Sequence, residues 1–451
     1  MLQIVEDTIV VTGIGGISAH GLTSVTMDAM FQGIPGIVHL PEEFSKCETT
    51  IGGKIGDIDE ILAEFFGERK ARNLKRSCAP HALFTLIGAV DALRRAGLIT
   101  LPIVRFTDEI ARRIACFIGT GIGASDLITQ IALQYDQLPN PSEETFARAN
   151  TRLSRMHNLT GLKVLPDAAA YTLSGELNIQ GPIDCSIKAC ATGAGNILRA
   201  AMQLSLGFAD VAIAGGTEKL SPVDVKVFNT LGPNGALSKN NDHPDQASRP
   251  FDQNRDGFVP SEGSWVCVLE TLSHAQSRGA TILARLSGFG ETTDGTGGTD
   301  PGIEGQTRAM EMALDMANRQ ANSVDLVVAH GTSTPNGDPA EIESIKRVFG
   351  ANREYAIYAP KSTLGHLLGA SGSLGAAAAV EAINRGIIPP TINLENPIPE
   401  MLLCGIEHSH AADCFLDIPT HPRKTPVKSV LCNSFGFGGQ NVCLILEEFA
   451  E

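Results

Sequence analysis

Short apolar runs of strand length alternate with amphipathic helical stretches along most of the chain. Residues 8–15 predict a first strand, and residues 79–96 predict a helix because apolar side chains recur there every three or four positions. The same alternation starts again at about residue 280, with strands at 281–287, 324–330 and 355–360 and helices at 306–318, 339–348 and 366–384. Alternating strands and helices favour an α/β fold with parallel-rich sheets covered by helices, and the restart favours a duplicated fold.

Two stretches are less regular. Residues 126–180 predict mostly helix, with a polar interruption at 138–144. Residues 229–262 are dense in Asn, Asp, Pro and Gly, which predicts a long excursion over the surface. No run of about 18 apolar residues occurs, so we expect no helix that inserts into a membrane.

Composition narrows the class of protein. The chain has 451 residues, 43% of them hydrophobic, and a formal net charge of −15, which argues against nucleic acid as a partner. Its ten cysteines are scattered without a CxxC pair, so we expect a reducing, cytoplasmic location without disulfides or a zinc site. None of the glycine clusters completes G-x-G-x-x-G ahead of a helix, so we expect no nucleotide cofactor.

Cys190 is the first candidate for chemistry. It lies between a short apolar run and a predicted helix at 194–207, hence at a strand-to-helix turn. Free N–H groups and the helix dipole favour negative charge there, which predicts a thiol pKa below the usual value of about 8.5. The alternative is a small buried cysteine without reactivity.

Two histidines and a lysine lie at comparable positions in the second half. His330 ends an apolar strand, and His366 follows Lys361 between a strand and a helix. The strand ends of α/β sheets are where such proteins gather their chemistry. Either histidine alone would more often be an ordinary hydrogen-bonding residue, but the set with Cys190 is more specific.

Taken together, these motifs resemble the condensing β-ketoacyl-[acyl-carrier-protein] synthases, and most of all their type II, elongating branch. The resemblance runs through Val10-Val-Thr-Gly-Ile-Gly, Ala189-Cys-Ala-Thr-Gly, Ala214-Gly-Gly-Thr-Glu, His330-Gly-Thr-Ser-Thr-Pro, Lys361-Ser-Thr-Leu-Gly-His and Asn433-Ser-Phe-Gly-Phe-Gly-Gly. It implies the thiolase fold, two αβαβα-layered halves with mixed five-stranded sheets, as a homodimer. Residues 1–280 would carry the nucleophile, and residues 281–451 would carry the histidines, the lysine and a phenylalanine gate.

The resemblance also assigns catalytic roles. Cys190 would take the acyl chain as a thioester, with the backbone N–H groups of Cys190 and Phe437 as its oxyanion hole. His330 and His366 would hydrogen-bond the malonyl thioester carbonyl as CO2 leaves, because two preformed donors stabilise the enolate that develops there. Lys361 would order this cluster. The implied reaction is a decarboxylative Claisen condensation that extends an acyl chain by two carbons in fatty acid biosynthesis.

Further residues would bind the substrate and its carrier. Thr332 and Thr334 match positions that contact the phosphopantetheine arm. Phe435 and Phe437 would form the gate, and Ile122 would lie at the end of the acyl tunnel, at the dimer interface. The basic residues within 69–76 would dock the acidic acyl carrier protein, although a solvated helix face is the alternative; the docking candidates are Lys75, Arg76 and Arg72.

One position departs from the family pattern. The family usually has a glutamate nine residues after the second histidine, where it supports the lysine and often a monovalent cation, but this chain has Gly375. Glu381 lies six residues further on, about 240° around the helix, and is badly placed to replace it. We therefore predict no metal site.

The sequence leaves open three alternatives to a ketosynthase of fatty acid biosynthesis. The first is a ketosynthase of a specialised polyketide, aryl-polyene or very-long-chain pathway, which Gly375 and a longer segment at 229–235 favour. The second is a chain-length-factor-like partner, which Cys190 opposes because such subunits lack the nucleophile. The third is a degradative thiolase, which uses a second cysteine rather than a His–His–Lys set.

Overall fold

The computed structural model describes residues 7–450, apart from 104, 126–127, 129–159, 233, 351–354 and 403–415. The polar interruption expected at 138–144 therefore lies outside the described residues, as does much of the helical stretch predicted around it. Within the described part, none of the helices combines the length and apolar character needed to cross a membrane.

Helices and strands alternate in both halves of the chain. The described helices are α1 (Thr23–Gln32), α2 (Asp59–Phe66), α3 (Glu68–Ser77), α4 (Pro80–Arg95), α5 (Asp108–Ala111), α6 (Thr160–Lys163), α7 (Ala168–Leu177), α8 (Thr192–Ser205), α9 (Pro222–Asn229), α10 (Pro244–Ala247), α11 (Leu272–Ser277), α12 (Ile303–Met316), α13 (Gly337–Phe349), α14 (Lys361–Leu364) and α15 (Ser371–Arg385). The strands are β1 (Ile9–Ser18), β2 (Gly21–Leu22), β3 (Val38–His39), β4 (Ile51–Gly52), β5 (Ile114–Gly119), β6 (Ile183–Asp184), β7 (Val211–Glu218), β8 (Gly263–Thr271), β9 (Ala284–Thr293), β10 (Leu326–Val328), β11 (Ala356–Tyr358), β12 (Ile387–Ile388), β13 (Arg423–Lys424), β14 (Ser429–Gly436) and β15 (Gln440–Glu447).

Two sets of five strands with the same pairing pattern form the centre of the molecule. β1 pairs antiparallel with β8, and β8 pairs antiparallel with β7. β7 then pairs parallel with β5, and β5 pairs parallel with β6. β9, β15, β14, β10 and β11 repeat these steps in the same order and the same directions. Three residues of β1, Ile9–Val11, pair with β9 and join both sets into one large mixed sheet. The predicted mixed α/β fold is confirmed.

Two small-residue helices, α8 and α15, form the inner layer between the two sets of strands. Their alanines share one apolar cluster with inward-facing residues of both sets. α4 covers the opposite face of the first set and shares a second cluster with it. Gly15 allows α4 to lie this close, since a Cβ there would be 2.3 Å from the backbone nitrogen of Ala92. The inner layer matters most for function, because both helices begin at the site described below.

The segment at 229–262 is a surface excursion only in part, because many of its polar residues are exposed but most of its apolar residues are buried. Leu237, Phe251 and Phe258 are fully buried within it. The backbone N–H of Phe258 donates to Ala236 and that of Ser238 donates to Phe258, so the segment satisfies its own polar groups while it turns apolar side chains inward. The segment thus forms one wall of the cavity as well as an exposed outer surface.

Candidate active site

Cys190 lies in a single 3₁₀ turn, Ala189–Ala191, that leads directly into α8. Only 6% of the residue is exposed. Gly436 lets the end of β14 approach this turn, since a Cβ on Gly436 would lie 2.5 Å from the carbonyl oxygen of Lys188. This close approach brings the backbone N–H of Phe437 to the thiol, where it and the N–H of Cys190 itself act as hydrogen-bond donors.

The expected low pKa of this thiol was wrong. Burial raises the pKa of Cys190 to about 11, and the negative charge of Glu218 adds to the effect. The positive charge of Lys361 and the N–H groups of Phe437 and Cys190 lower the pKa, but they only partly offset the loss of water. The resting cysteine is therefore a neutral thiol.

His330, His366 and Cys190 line one cavity of about 230 Å³. The two imidazole rings are 5.5 Å apart between centroids and nearly perpendicular, at 85°. The ring of Phe258 packs edge-on against His366 at 5.1 Å. Both histidines come from the second half of the chain and the cysteine comes from the first, so the cavity lies where the two halves meet.

Both histidines are neutral near pH 7 and have a defined orientation. Burial, with the nearby Lys361 charge, lowers the pKa of His330 and of His366 well below the usual value. The backbone N–H of Leu368 donates to Nδ1 of His366 at 3.0 Å, so the ring proton is on Nε2. Lys361 Nζ lies 3.3 Å from Nδ1 of His330, which favours the same tautomer.

Lys361 is a buried cation behind His330. Its ammonium group donates to the backbone carbonyl oxygen of His330. Burial lowers the pKa of Lys361 to about 8, whereas the negative charges of Glu341 and Asp338 act in the opposite direction and raise it. The nearby carboxylates therefore help the lysine to keep its charge at neutral pH.

Glu341 is a member of this cluster that the sequence did not reveal. Its carboxylate accepts the backbone N–H groups of His330 and Gly331, both at 2.7 Å, and the amide of Asn433 at 3.0 Å. It thus fixes the end of β10 and faces Lys361. The available signal was its position on α13, three residues after Asp338, with both carboxylates on the buried face of that helix.

The residues around Gly375 do not fit a bound cation. Gly375 brings no carboxylate, and Glu341 already uses its two oxygens to accept three N–H groups from His330, Gly331 and Asn433. Glu381 is turned away and pairs with Arg385 on the same helix. Among the described residues, no group of three or more His, Cys, Asp or Glu side chains could hold a metal ion.

The other predicted binding residues divide into two groups. Thr332, Thr334, Phe435 and Phe437 line the cavity, and the two threonine hydroxyls are 2.9 Å apart. Ile122 does not line it; this side chain packs, like Phe437, against an adjacent apolar cluster that contains Phe228 and Phe258. The structure thus places Ile122 against this cluster and not among the residues that line the cavity.

The three basic docking candidates lie together on the exposed helix α3. Lys75 pairs with Asp59, and Arg72 pairs with Glu68 one turn earlier at 3.3 Å. The cavity that holds Cys190 takes none of its lining residues from α3. The candidates therefore form a surface that is separate from the cavity, and two of these basic side chains already pair with carboxylates.

Comparisons with known proteins agree over the whole chain. The β-ketoacyl synthase N-terminal domain model matches residues 6–275, and the C-terminal domain model matches residues 283–395. A 3-oxoacyl-[acyl-carrier-protein] synthase 2 of Vibrio harveyi is 35% identical to this chain in an alignment over 454 residues. The alignment covers 98% of this chain and 99% of the relative.

Solved structures give the same result. A β-ketoacyl synthase from Burkholderia phymatum STM815 superposes with a TM-score of 0.83 at 30% identity, covering 98% of this chain and all of that one. A type II polyketide synthase ketosynthase, solved in complex with its acyl-carrier protein, reaches 0.79 at 25% identity, with 98% and 100% coverage. The resemblance inferred from the motifs is confirmed, and the chain belongs to the β-ketoacyl synthase family of condensing enzymes.

Proposed function

We propose that this protein is an elongating 3-oxoacyl-[acyl-carrier-protein] synthase of fatty acid biosynthesis. The observation that carries the proposal is the meeting of a buried thiol, two neutral histidines with Nε2 protons and a buried lysine at one cavity. The full-length relative named 3-oxoacyl-[acyl-carrier-protein] synthase 2 supports this reaction over a specialised pathway. Neither a nucleotide nor a redox cofactor takes part in it.

The first half-reaction loads the acyl chain onto Cys190. The sulfur attacks the thioester carbonyl carbon, the carbon–sulfur bond to the carrier breaks, and the carrier thiol leaves with the proton. Between the attack and the departure of the carrier thiol, negative charge develops on the carbonyl oxygen. The N–H groups of Cys190 and Phe437 are proposed to hold this oxygen, since both already face the thiol.

The second half-reaction consumes malonyl-carrier. The bond between the carboxylate carbon and the α-carbon breaks, CO2 leaves, and the electron pair forms an enolate on the thioester. The Nε2–H groups of His330 and His366 are proposed to donate to the enolate oxygen. The α-carbon then attacks the acyl carbonyl on Cys190, and the sulfur leaves as a thiolate that Lys361 stabilises by charge.

The proposed partner is an acyl carrier protein loaded with acyl or malonyl groups. Thr332 and Thr334 lie at the cavity and offer hydroxyls to the phosphopantetheine arm. Lys75, Arg76 and Arg72 are the proposed contacts for the acidic carrier. The solved ketosynthase in complex with its own acyl-carrier protein supports such an encounter.

The proposed assembly is a cytoplasmic homodimer, with each chain divided at about residue 280. Among the described strands, β6 is the last of the large sheet at this edge. Ile183 in β6 and Ile187 just after it are each 46% exposed. An apolar open edge of this kind favours pairing with a second copy. Sedimentation velocity tests the dimer, and a species of single-chain mass at micromolar concentration would contradict it.

Intact-protein and peptide mass spectrometry tests the function. The protein is incubated with a panel of acyl-carriers, and malonyl-carrier is then added. We expect one acyl mass on Cys190 and its loss as the elongated product forms. Cys190→Ala should stay unmodified, whereas Cys185→Ala, the matched control five residues upstream, should acylate as wild type does. Acylation elsewhere, or none with any donor, would refute the proposal.

A further inference from the structure

Glu218 is a buried carboxylate for which the proposed reaction has no use. It ends strand β7 and is fully buried. Among the described residues, five neutral donors contact it: the Thr120 hydroxyl at 2.5 Å and the backbone N–H groups of Gly121 at 2.7 Å, Ile122 at 3.2 Å, Gly123 at 3.2 Å and Gly369 at 3.1 Å. Successive N–H groups that converge on one anion form a rigid cradle.

These donors come from two separate parts of the site. Four belong to the loop after β5, whose Ile122 packs against the same apolar cluster as Phe437. The fifth, Gly369, belongs to the 3₁₀ turn Leu368–Ala370 of the second half. The N–H of Leu368 in that turn orients the His366 ring. One carboxylate therefore joins the apolar loop of the first half to the turn that orients a histidine in the second half.

Glu218 also lies close to the turn that carries the thiol, since a Cβ on Gly121 would be 2.8 Å from Glu218 Oε2 and 3.4 Å from the carbonyl oxygen of Ala189. Lys361 and Glu218 shift the pKa of Cys190 in opposite directions. The other titratable groups at the cavity are the two histidines, Glu341, Asp294 and Asp300. Burial raises the pKa of Glu218 itself to about 7, although its hydrogen bonds work against this. Above neutral pH the carboxylate is ionised, and its charge opposes thiolate formation at Cys190.

We propose that Glu218 is a positioning residue that holds the loop containing Ile122 and the turn Leu368–Ala370 in fixed relative positions, and that its negative charge acts on Cys190. The acyl-transfer part of this inference rests on the proposed function, but the effect on the thiol does not. Replacing a buried acid that has only a structural role would leave the pKa of Cys190 unchanged, whereas replacing Glu218 should lower it.

The test compares Glu218→Gln with Glu262→Gln in the full-length protein. Glu262 is an equally buried control that accepts the N–H groups of Ile55 and Leu220 and pairs with Lys54. The rate of iodoacetamide alkylation at Cys190 is measured against pH by peptide mass spectrometry. In Glu218→Gln we expect the midpoint to fall by about one pH unit, because a nearby negative charge is lost. The control midpoint should stay at the wild-type value.

Two further measurements make the result decisive. Buried Cys267 must remain unmodified, because unfolding would also lower the Cys190 midpoint but would expose Cys267 to the reagent. The condensation rate with acyl- and malonyl-carrier should fall roughly 10- to 100-fold in Glu218→Gln, since the amide leaves buried N–H groups without an acceptor.

A second variant tests the loop without a change of charge. Thr120→Val removes one donor to Glu218, so we expect slower acyl transfer with an unchanged Cys190 midpoint. An unchanged midpoint in Glu218→Gln, or wild-type rates in both variants, overturns the proposal. If the wild-type protein never acylates, the proposed function fails, but the alkylation comparison still decides whether Glu218 acts on Cys190.

Discussion

Glu341→Gln should separate the two half-reactions, because Glu341 serves the histidine side of the cavity. In the native protein its carboxylate accepts N–H groups from His330 and Gly331, both at 2.7 Å, and its charge keeps Lys361 protonated. A glutamine side chain has one acceptor oxygen and one NH2 group, so one of these backbone N–H groups loses its partner. Such a loss costs about 1–3 kcal/mol, which corresponds to a roughly 5- to 150-fold slower step.

The malonyl-dependent step should bear this loss, since His330 and Lys361 act there. The pKa of Lys361 should also fall below its native value of about 8 once the neighbouring charge is gone. The assay measures CO2 release from malonyl-carrier and, separately, acylation of Cys190 by intact mass. Glu343→Gln is the matched control, because Glu343 lies two residues further on α13, is exposed and pairs with Arg347. Equal losses in both half-reactions, or a CO2 release rate equal to that of the control, would refute this reasoning.

Two other predictions concern single carboxylates. Gly375→Glu should leave Cys190 acylation unchanged and alter only CO2 release. The position has room for an added Cβ, whose nearest neighbour would be Val328 Cγ1 at 3.6 Å. Equal changes in both half-reactions would contradict this prediction. At Glu270, burial raises the pKa, but hydrogen bonds from Arg278 and His274 bring it down to about 2. Because the folded pKa is depressed, this group stabilises the fold above pH 4.5, and about 3 kcal/mol should be lost as pH falls through 2. Urea unfolding between pH 5 and 2 checks this, and an equally steep decline in Glu270→Gln would count against it.

The fold was largely predictable from the sequence. The apolar runs and helical repeats mark nearly every long element, because each strand or helix must turn a continuous apolar face to the core. The restart at about residue 280 corresponds to the repeated strand-pairing order. The prediction at 229–262 was only partly right for a physical reason: turn-forming composition shows that the backbone bends, but it does not show that Phe251 and Phe258 are turned inward.

The residues of the active site were predictable from the sequence only where they follow the end of a predicted strand. Cys190, His330 and His366 were found in this way, and the structure brings them to one cavity. Glu218 was not recognised as a functional residue because it acts through backbone N–H groups of distant segments, and such contacts leave no local pattern. Glu341 accepts backbone N–H groups only 10 and 11 positions away, but only the folded structure shows that these contacts form. The pairing between Glu218 and Gly369 spans 151 positions along the chain, so only the packed fold shows it.

At Cys190 the effect of burial on the thiol pKa outweighs the effect of the helix terminus. A charge at the start of a helix gains about 0.3–1 kcal/mol, which is less than one pKa unit at about 1.4 kcal/mol per unit. Removing water from a thiolate costs several times as much, and the pKa of Cys190 accordingly rises to about 11. The charges of Lys361 and Glu218 act on the same thiol with opposite signs, so its reactivity depends on their balance. A substitution that changes either charge should therefore affect alkylation at Cys190 more than any change that weakens the start of α8.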